Sequence, residues 1–371
     1  MTDQDTDRGK RVVDLRELHA LTQSELAAAA GIPQPNLSKI ERGLLELTPA
    51  SAHRICQATG TPVQFFDHEP AEMNAADMNF RKAAKVSVRG GRLVVQTVRE
   101  ISRVSGVLAD APIKLKRMEL PIASDKDIRG RSDVDRWAEL VRHTAGLSAV
   151  DPVRNVIRTA ERAGVAVAPI QVPPDDAPSL LAGHSGMSTS AVRPTICFVT
   201  GQSGDRQRFT IAHELGHLLL HTSRSVPVVD REAEAHAFAG ALLLPETVAG
   251  EHISETLTLQ GFMRLKATFG ISLQAAIMRG RQLGLLSTQR HRSLMIQISS
   301  RGWRKDEPVE VGHESPMLLW TELSAMYGNS PYARASSDLG VAPSLLSQWI
   351  PDRTTSADGG DVVSLATRRR L

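Results

Sequence analysis

The spacing His213-Glu214-Leu-Gly-His217 constrains this chain more than any other feature of its sequence. Residues four apart lie about one turn apart on the same helix face, so both imidazoles are available to a single metal ion. That commits the surrounding stretch to a helix from Arg206 onward. In it, Ile211, Leu215 and Leu218 form an apolar stripe, and the two histidines share a different face. Asp205 is placed as the N-cap. A catalytic zinc takes three protein ligands and keeps a further position for water, so one more ligand is required. Asp230 to Leu244 reads as the helix that supplies it. Phe238, Ala241 and Leu242 pack, Pro245 marks the exit, and Glu232 and Glu234 are two alternatives on different faces of the first turn. Glu214, beside His213, is the candidate general base. His221 drifts about 40° further around the axis and is assigned to packing. For the group that would stabilise an oxyanion, His221, His184 and Arg193 stay open.

The chain has 371 residues, enough for two or three domains. No stretch approaches the roughly 18 uncharged apolar residues of a membrane helix, and MTDQDTDRGK has neither signal nor transit character. A cytoplasmic location with no membrane partner is expected. Cys56 and Cys197 form no C-x-x-C and read as reduced core residues. The net charge is only +3 but unevenly spread, with ten basic residues against two acidic ones between Phe80 and Arg117. That segment suits either a polyanion or a solvated connector, and no aromatic residues are interleaved for stacking on bases.

Near the N-terminus, residues 1–10 lack apolar periodicity and are expected to form a disordered tail. From Arg11 to about Asp67 the pattern becomes a set of short helices. Thr22-Gln-Ser-Glu25 is a capping box, Gly31 is suited to end the helix it starts, and the next helix turns Leu37 and Ile40 inward. Two short helices joined by a glycine-containing turn, with polar residues at the front of the second, form a helix-turn-helix. The stretch LTQSELAAAAGIPQPNLSKIERG strongly resembles the Xre or lambda-repressor-like family. The resemblance implies binding to double-stranded operator DNA, with Gln23 on backbone phosphate and Gln34, Asn36 and Lys39 contacting bases or phosphate. Pro33-Gln-Pro35 departs from the serine or threonine common there.

Residues 71–120 read as a basic connector with one helix, Arg92 to Val107. Helices are then expected at Asp133 to Thr144 and Pro152 to Ala163, and strands at Val165 to Val172, His184 to Ser188 and Thr195 to Val199. Beyond Pro245 come helices at Phe262 to Phe269, Leu273 to Leu283, Leu318 to Tyr327 and Pro343 to Ile350, a possible strand between Arg290 and Pro308, and a disordered polar end. Ser337 to Trp349 loosely resembles a second helix-turn-helix and is assigned to packing.

AHELGHLLLH followed by E-x-E-A-x-x-F-A-x-x-L-L-x-P resembles the ImmA/IrrE family of zinc metalloproteases, from about Val134 through Pro245 and more loosely at Gly302 to Pro308. The resemblance implies Zn2+ on His213, His217 and Glu232, with Glu234 turned away and Glu214 catalytic. Family members often carry asparagine or aspartate where this chain has His236. The expected fold is α+β. An all-α lambda-repressor-like helix-turn-helix domain over residues 11–70 precedes a zincin-like metallopeptidase domain over 121–310 with a small sheet. A helical C-terminal region with a polar tail takes 311–371. The implied function is a DNA-binding regulator that cleaves a regulatory protein, a repressor, in a stress or mobile-element response, with a homodimer as a possible assembly. The alternative is a non-enzymatic repressor or antitoxin whose protease-like domain senses a ligand or dimerises.

Overall fold

The computed structural model describes residues 3–69, 73, 87–115, 117–171 and 180–352. Local signals set its first elements. The Glu25 amide donates to the Thr22 hydroxyl at 3.2 Å and the Thr22 amide donates to the Glu25 carboxylate at 2.6 Å, the capping box that opens α2 (Gln23–Ala30). Gly31, with φ 62°, ends α2 in the left-handed region and turns the chain into α3 (Gln34–Glu41). With α1 (Asp3–Leu18), α4 (Pro49–Thr59) and a 3-10 turn at Val63–Asp67, these helices bury Leu15, Leu26, Leu37, Ile55 and Phe65. The tail expected over residues 1–10 is instead helical from Asp3. Packing holds it: Gly9 lies so close to the Ile40 carbonyl that a Cβ would collide, and Arg8 reaches Asp67 at 3.4 Å.

The stretch expected as a connector contains α5 (Val88–Leu108), a core helix. Val94, Val98, Ile101, Val104 and Leu108 are buried at helical spacing. Glu100 sits fully buried between Arg11 at 2.7 Å and Arg103 at 2.9 Å, and Arg103 also donates to the Leu339 carbonyl at 2.7 Å. Burial alone would raise the Glu100 carboxyl, but the two guanidiniums outweigh it and hold it below the usual carboxylate range. Arg89 pairs with Glu25 and Arg92 with Glu17, so these charges of the basic stretch are answered within the protein. Arg81, Lys82, Lys85 and Lys116 lie outside the described residues, as does the polar C-terminal end.

Three buried strands form one sheet in the order β1 (Ala166–Ile170), β3 (Thr195–Val199), β2 (Gly186–Thr189). β1 runs parallel to β3 with Ala166 opposite Thr195, and β2 runs antiparallel with Met187 opposite Cys197. Cys56 and Cys197 are both buried, and neither forms a disulfide among the described residues. The sheet packs against α5, α14 (Leu318–Tyr327) and α16 (Pro343–Trp349). Arg193 ties the β2–β3 turn to α14 through Glu322 at 2.8 and 3.0 Å.

The stretch that loosely resembles a second helix-turn-helix repeats the backbone of α2 and α3. α15 (Pro331–Leu339) ends at Gly340, φ 66°, as α2 ends at Gly31. The Val341 amide returns to the Ser336 carbonyl at 3.2 Å as Ile32 returns to Ala27 at 2.9 Å. Trp349 is buried where Ile40 is buried in α3.

The chain separates into two compact units. One holds the chain up to Leu115, Ala166–Val199 and the helices from Met317 onward, and the other holds the stretch up to Val165 and Thr200–Pro316. The second contains α6 (Arg131–Thr144), α7 (Val156–Arg162), α8 (Gly204–His221), α9 (Val228–Leu243), α10 (Glu246–His252), α11 (Leu259–Phe269) and α12 (Leu273–Gln282), and buried arginines tie α6 to α9 and α12. Arg279 donates to both oxygens of Asp135 at 2.9 and 3.0 Å, and Arg142 to the Leu242 carbonyl at 2.8 Å. Where a strand is possible after Arg290, the chain forms a helix, α13 (Thr288–Ser300). Ser287 caps its start and Leu294 and Ile298 give it a helical, not alternating, apolar pattern.

Candidate metal centre and nucleic-acid face

α8 begins at Gly204, two residues earlier than expected. Ser203 is the N-cap, and Asp205 lies in the first turn, accepting from Lys266 at 2.8 Å. Lys266 and hydrogen bonds to Ser203 and Arg206 overcome the upward push of burial and keep the Asp205 carboxyl below its ordinary value. Glu307, in the segment at Gly302 to Pro308, also accepts from Lys266 at 2.9 Å and from the Leu273 amide at 2.7 Å. Gly204 has the carbonyls of Val311 and Gly312 where a Cβ would stand. The helix start is therefore fixed from several sides.

Gly216, inside the motif, brings the second helix close. A Cβ there would meet the Phe238 ring at 2.9 Å and the Ala235 Cα at 3.3 Å, so only glycine lets α9 lie this near α8. That approach puts Glu232 beside the histidines. His213 Nε2 is 3.1 Å from His217 Nε2 and 3.5 Å from Glu232 Oε2, and His217 Nε2 is 3.3 Å from Glu232 Oε1. One ligand atom from each of the three lies within 4.8 Å of the others, the only such group among the described residues. Burial would raise the Glu232 carboxyl, but hydrogen bonds and charge from His213 and His217 hold it well below the usual carboxylate range. Two imidazoles and a carboxylate are the donors a catalytic zinc takes. The residues present fit the metal.

Glu214 is buried in the same helix, next to His213. Glu234 faces elsewhere: its carboxylate accepts from Arg224 at 2.7 Å and lies 3.1 Å from His221 Nε2. His221, assigned to packing from the sequence, places its Nδ1 3.0 Å from Nδ1 of His217. Burial, with His217 and Arg224 nearby, pushes His221 down to about 4. Its recurrence one turn after His217 is the sequence signal for this contact. His236 tilts on Phe209 with ring centroids 4.8 Å apart, and its centroid is 6.3 Å from that of His213. Of the open oxyanion candidates, Arg193 is bonded to Glu322 and to the Ser105 carbonyl, and His184 lies buried in the unit that carries the sheet.

In the other unit, Gln34, Asn36 and Lys39 are exposed on α3 and Gln23 is half-buried at the start of α2. Gln34 donates to the Gln23 carbonyl oxygen at 3.0 Å, and Gln23 donates to Glu41 at 2.6 Å. Glu41 is itself held by Arg16 at 2.6 Å. The four sequence-derived contact residues thus lie on two consecutive helices, and two of them are directly bonded.

Residues 13–66 match the protein family described as "Helix-turn-helix", and residues 160–280 match the peptidase M78 family described as "IrrE N-terminal-like domain". No curated protein matches the chain. A solved structure, the apo form of the competence regulator ComR from Streptococcus vestibularis, aligns over 82% of this chain and 95% of its own at 11% identity. Its TM-score is 0.17, a likeness on which no conclusion rests. No helix among the described residues is long and apolar enough to cross a membrane. The chain joins an Xre-type helix-turn-helix domain to an ImmA/IrrE-like domain of the M78 peptidase family.

Proposed function

We propose that the protein is a cytoplasmic transcriptional regulator that binds operator DNA through α2 and α3 and hydrolyses a peptide bond in a regulatory protein. The observation that carries the enzymatic half is the convergence of His213, His217 and Glu232 within 4.8 Å, with Glu214 on the same helix. Zinc bound there supplies a Lewis acid that polarises a carbonyl and acidifies water near neutral pH. His213, His217 and Glu232 hold and orient it. Glu214 takes the proton of the attacking water and delivers it to the leaving amine nitrogen. A pure sensor would need the ligands but no buried carboxylate at Glu214, which favours catalysis over a ligand-sensing or dimerising role. The substrate is a repressor, and its removal is the output of a stress or mobile-element signal.

The test uses the full chain and, where the adjacent gene encodes a small helix-turn-helix repressor, that protein as substrate. Glu214→Gln is expected to keep its zinc and lose cleavage by roughly 10²–10⁴-fold, the usual contribution of a positioned general base. Normal cleavage by that variant overturns the reading. A gel shift with the upstream region of the protein's own gene tests the DNA half.

A further inference from the structure

We propose that His221, Glu234 and Arg224 form a positioning relay that holds His217 with its Nε2 lone pair turned to the metal, an inference that rests on the zinc reading above. Both ends of the relay demand the same hydrogens. At the outer end, Arg224 can only donate, and it reaches Glu234 Oε2 at 2.7 Å and Oε1 at 3.3 Å while also donating to the Leu220 carbonyl at 3.1 Å. A carboxylate so bound is an acceptor, so His221 Nε2, 3.1 Å from Glu234 Oε2, must carry N–H.

At the inner end, a metal-binding His217 presents Nε2 bare and carries its hydrogen on Nδ1. That N–H needs an acceptor, and His221 Nδ1 stands 3.0 Å away. A neutral imidazole offers one N–H and one acceptor nitrogen, so an acceptor at His221 Nδ1 again requires N–H at Nε2. Hydrogens assigned from the metal outward and from Arg224 inward agree at every link. A slip at any link would put a hydrogen on His217 Nε2 or set two lone pairs face to face.

The contrast with His213 supports a specific role. Its Nδ1 is buried with no hydrogen-bond partner among the described residues, so one ligand is hydrogen-bonded from behind and the other is not. Outer partners of metal-bound histidines typically set metal affinity by roughly 10–100-fold.

The experiment is zinc competition with a chromophoric chelator on the full-length protein. His221→Leu is expected to lose zinc affinity by roughly 10–100-fold. His221→Asn keeps a carbonyl oxygen where Nδ1 accepts and is expected to recover most of it. A general packing role would not separate Asn from Leu, and apo-state melting is measured on each variant as the control. Unchanged affinity in His221→Leu, or His221→Asn falling as far as His221→Leu, overturns the relay. ¹⁵N imidazole shifts of the unaltered zinc-loaded protein decide it without mutation: N–H at Nε2 of His221 is expected, and N–H at Nδ1 overturns it. If the unaltered chain itself takes up no zinc, the zinc reading and the relay fall together.

Discussion

At the candidate metal centre, His213, His217 and Glu214 are buried, the start of their helix is fixed, and a glycine is fitted to the neighbouring helix. On the helix-turn-helix face, Gln34, Asn36 and Lys39 are exposed, and the one organised contact is a chain of amide hydrogen bonds from Gln34 through Gln23 to Glu41. The difference follows from the ligands. A metal ion needs donors placed within tenths of an ångström in a medium too dry to let them rearrange. A DNA backbone is a broad, repeating anion, which long side chains on a rigid helix meet by adjusting. The first site should therefore fail sharply under small steric changes and the second should weaken in steps.

The largest effect is expected at Gly216. Gly216→Val places atoms against the Phe238 ring and Ala235, an overpacking that costs typically about 1–3 kcal/mol of stability. Because it pushes α9 and Glu232 away, zinc binding should be lost outright, which metal analysis and thermal melting would read together. Full zinc occupancy would break the claim that close helix approach makes the site. On the DNA face, Asn36→Ala should cost about 1–3 kcal/mol of specific operator affinity while non-specific binding persists, if it reads a base. Lys39→Ala should act more mildly, weakening binding on all sequences and reducing the salt slope by about 1. Equal losses on operator and random DNA for Asn36→Ala would move that residue to the phosphate-contacting class.

A smaller effect concerns the support of the DNA face. Glu100 has its folded-state carboxyl held below its ordinary value of 4.5 by Arg11 and Arg103 against the opposing effect of burial. A carboxyl depressed on folding contributes stability above its unfolded value and loses it as pH falls. Melting of the helix-turn-helix unit should therefore decline as pH drops below 4.5, and Glu100→Gln should flatten that decline. An unchanged pH slope in the variant would show that other carboxylates carry it.

The metal site was the most legible part of the sequence, because its geometry is local: the histidine spacing within one helix, and an apolar pattern that identifies its partner. Choosing Glu232 over Glu234 needed family resemblance, since both fall on one helical turn. The structure separates them through Arg224, which holds Glu234, a contact across ten positions that periodicity does not reveal. Spacing alone places His221 in packing, because a drift around the axis says nothing of what stands behind a ligand. The capping box, Gly31 and the strands at 166–170 and 195–199 followed their local signals closely. α5 also forms where a helix is expected, but its place in the core is not legible, because its arginines are answered by Glu17, Glu25 and Glu100, and charge answered inside a fold looks in sequence like charge offered to a partner. The C-terminal turn at Gly340 shows the reverse case. Its backbone repeats that of Gly31, yet α16 carries no basic residue, so the shared geometry does not by itself make a DNA-reading face.

The most direct test of the account is the zinc content of the purified full-length protein beside that of Glu232→Ala. The account predicts about one zinc per chain in the unaltered protein and none retained by Glu232→Ala after dialysis. A metal-free unaltered protein, or full zinc retention by Glu232→Ala, would contradict it.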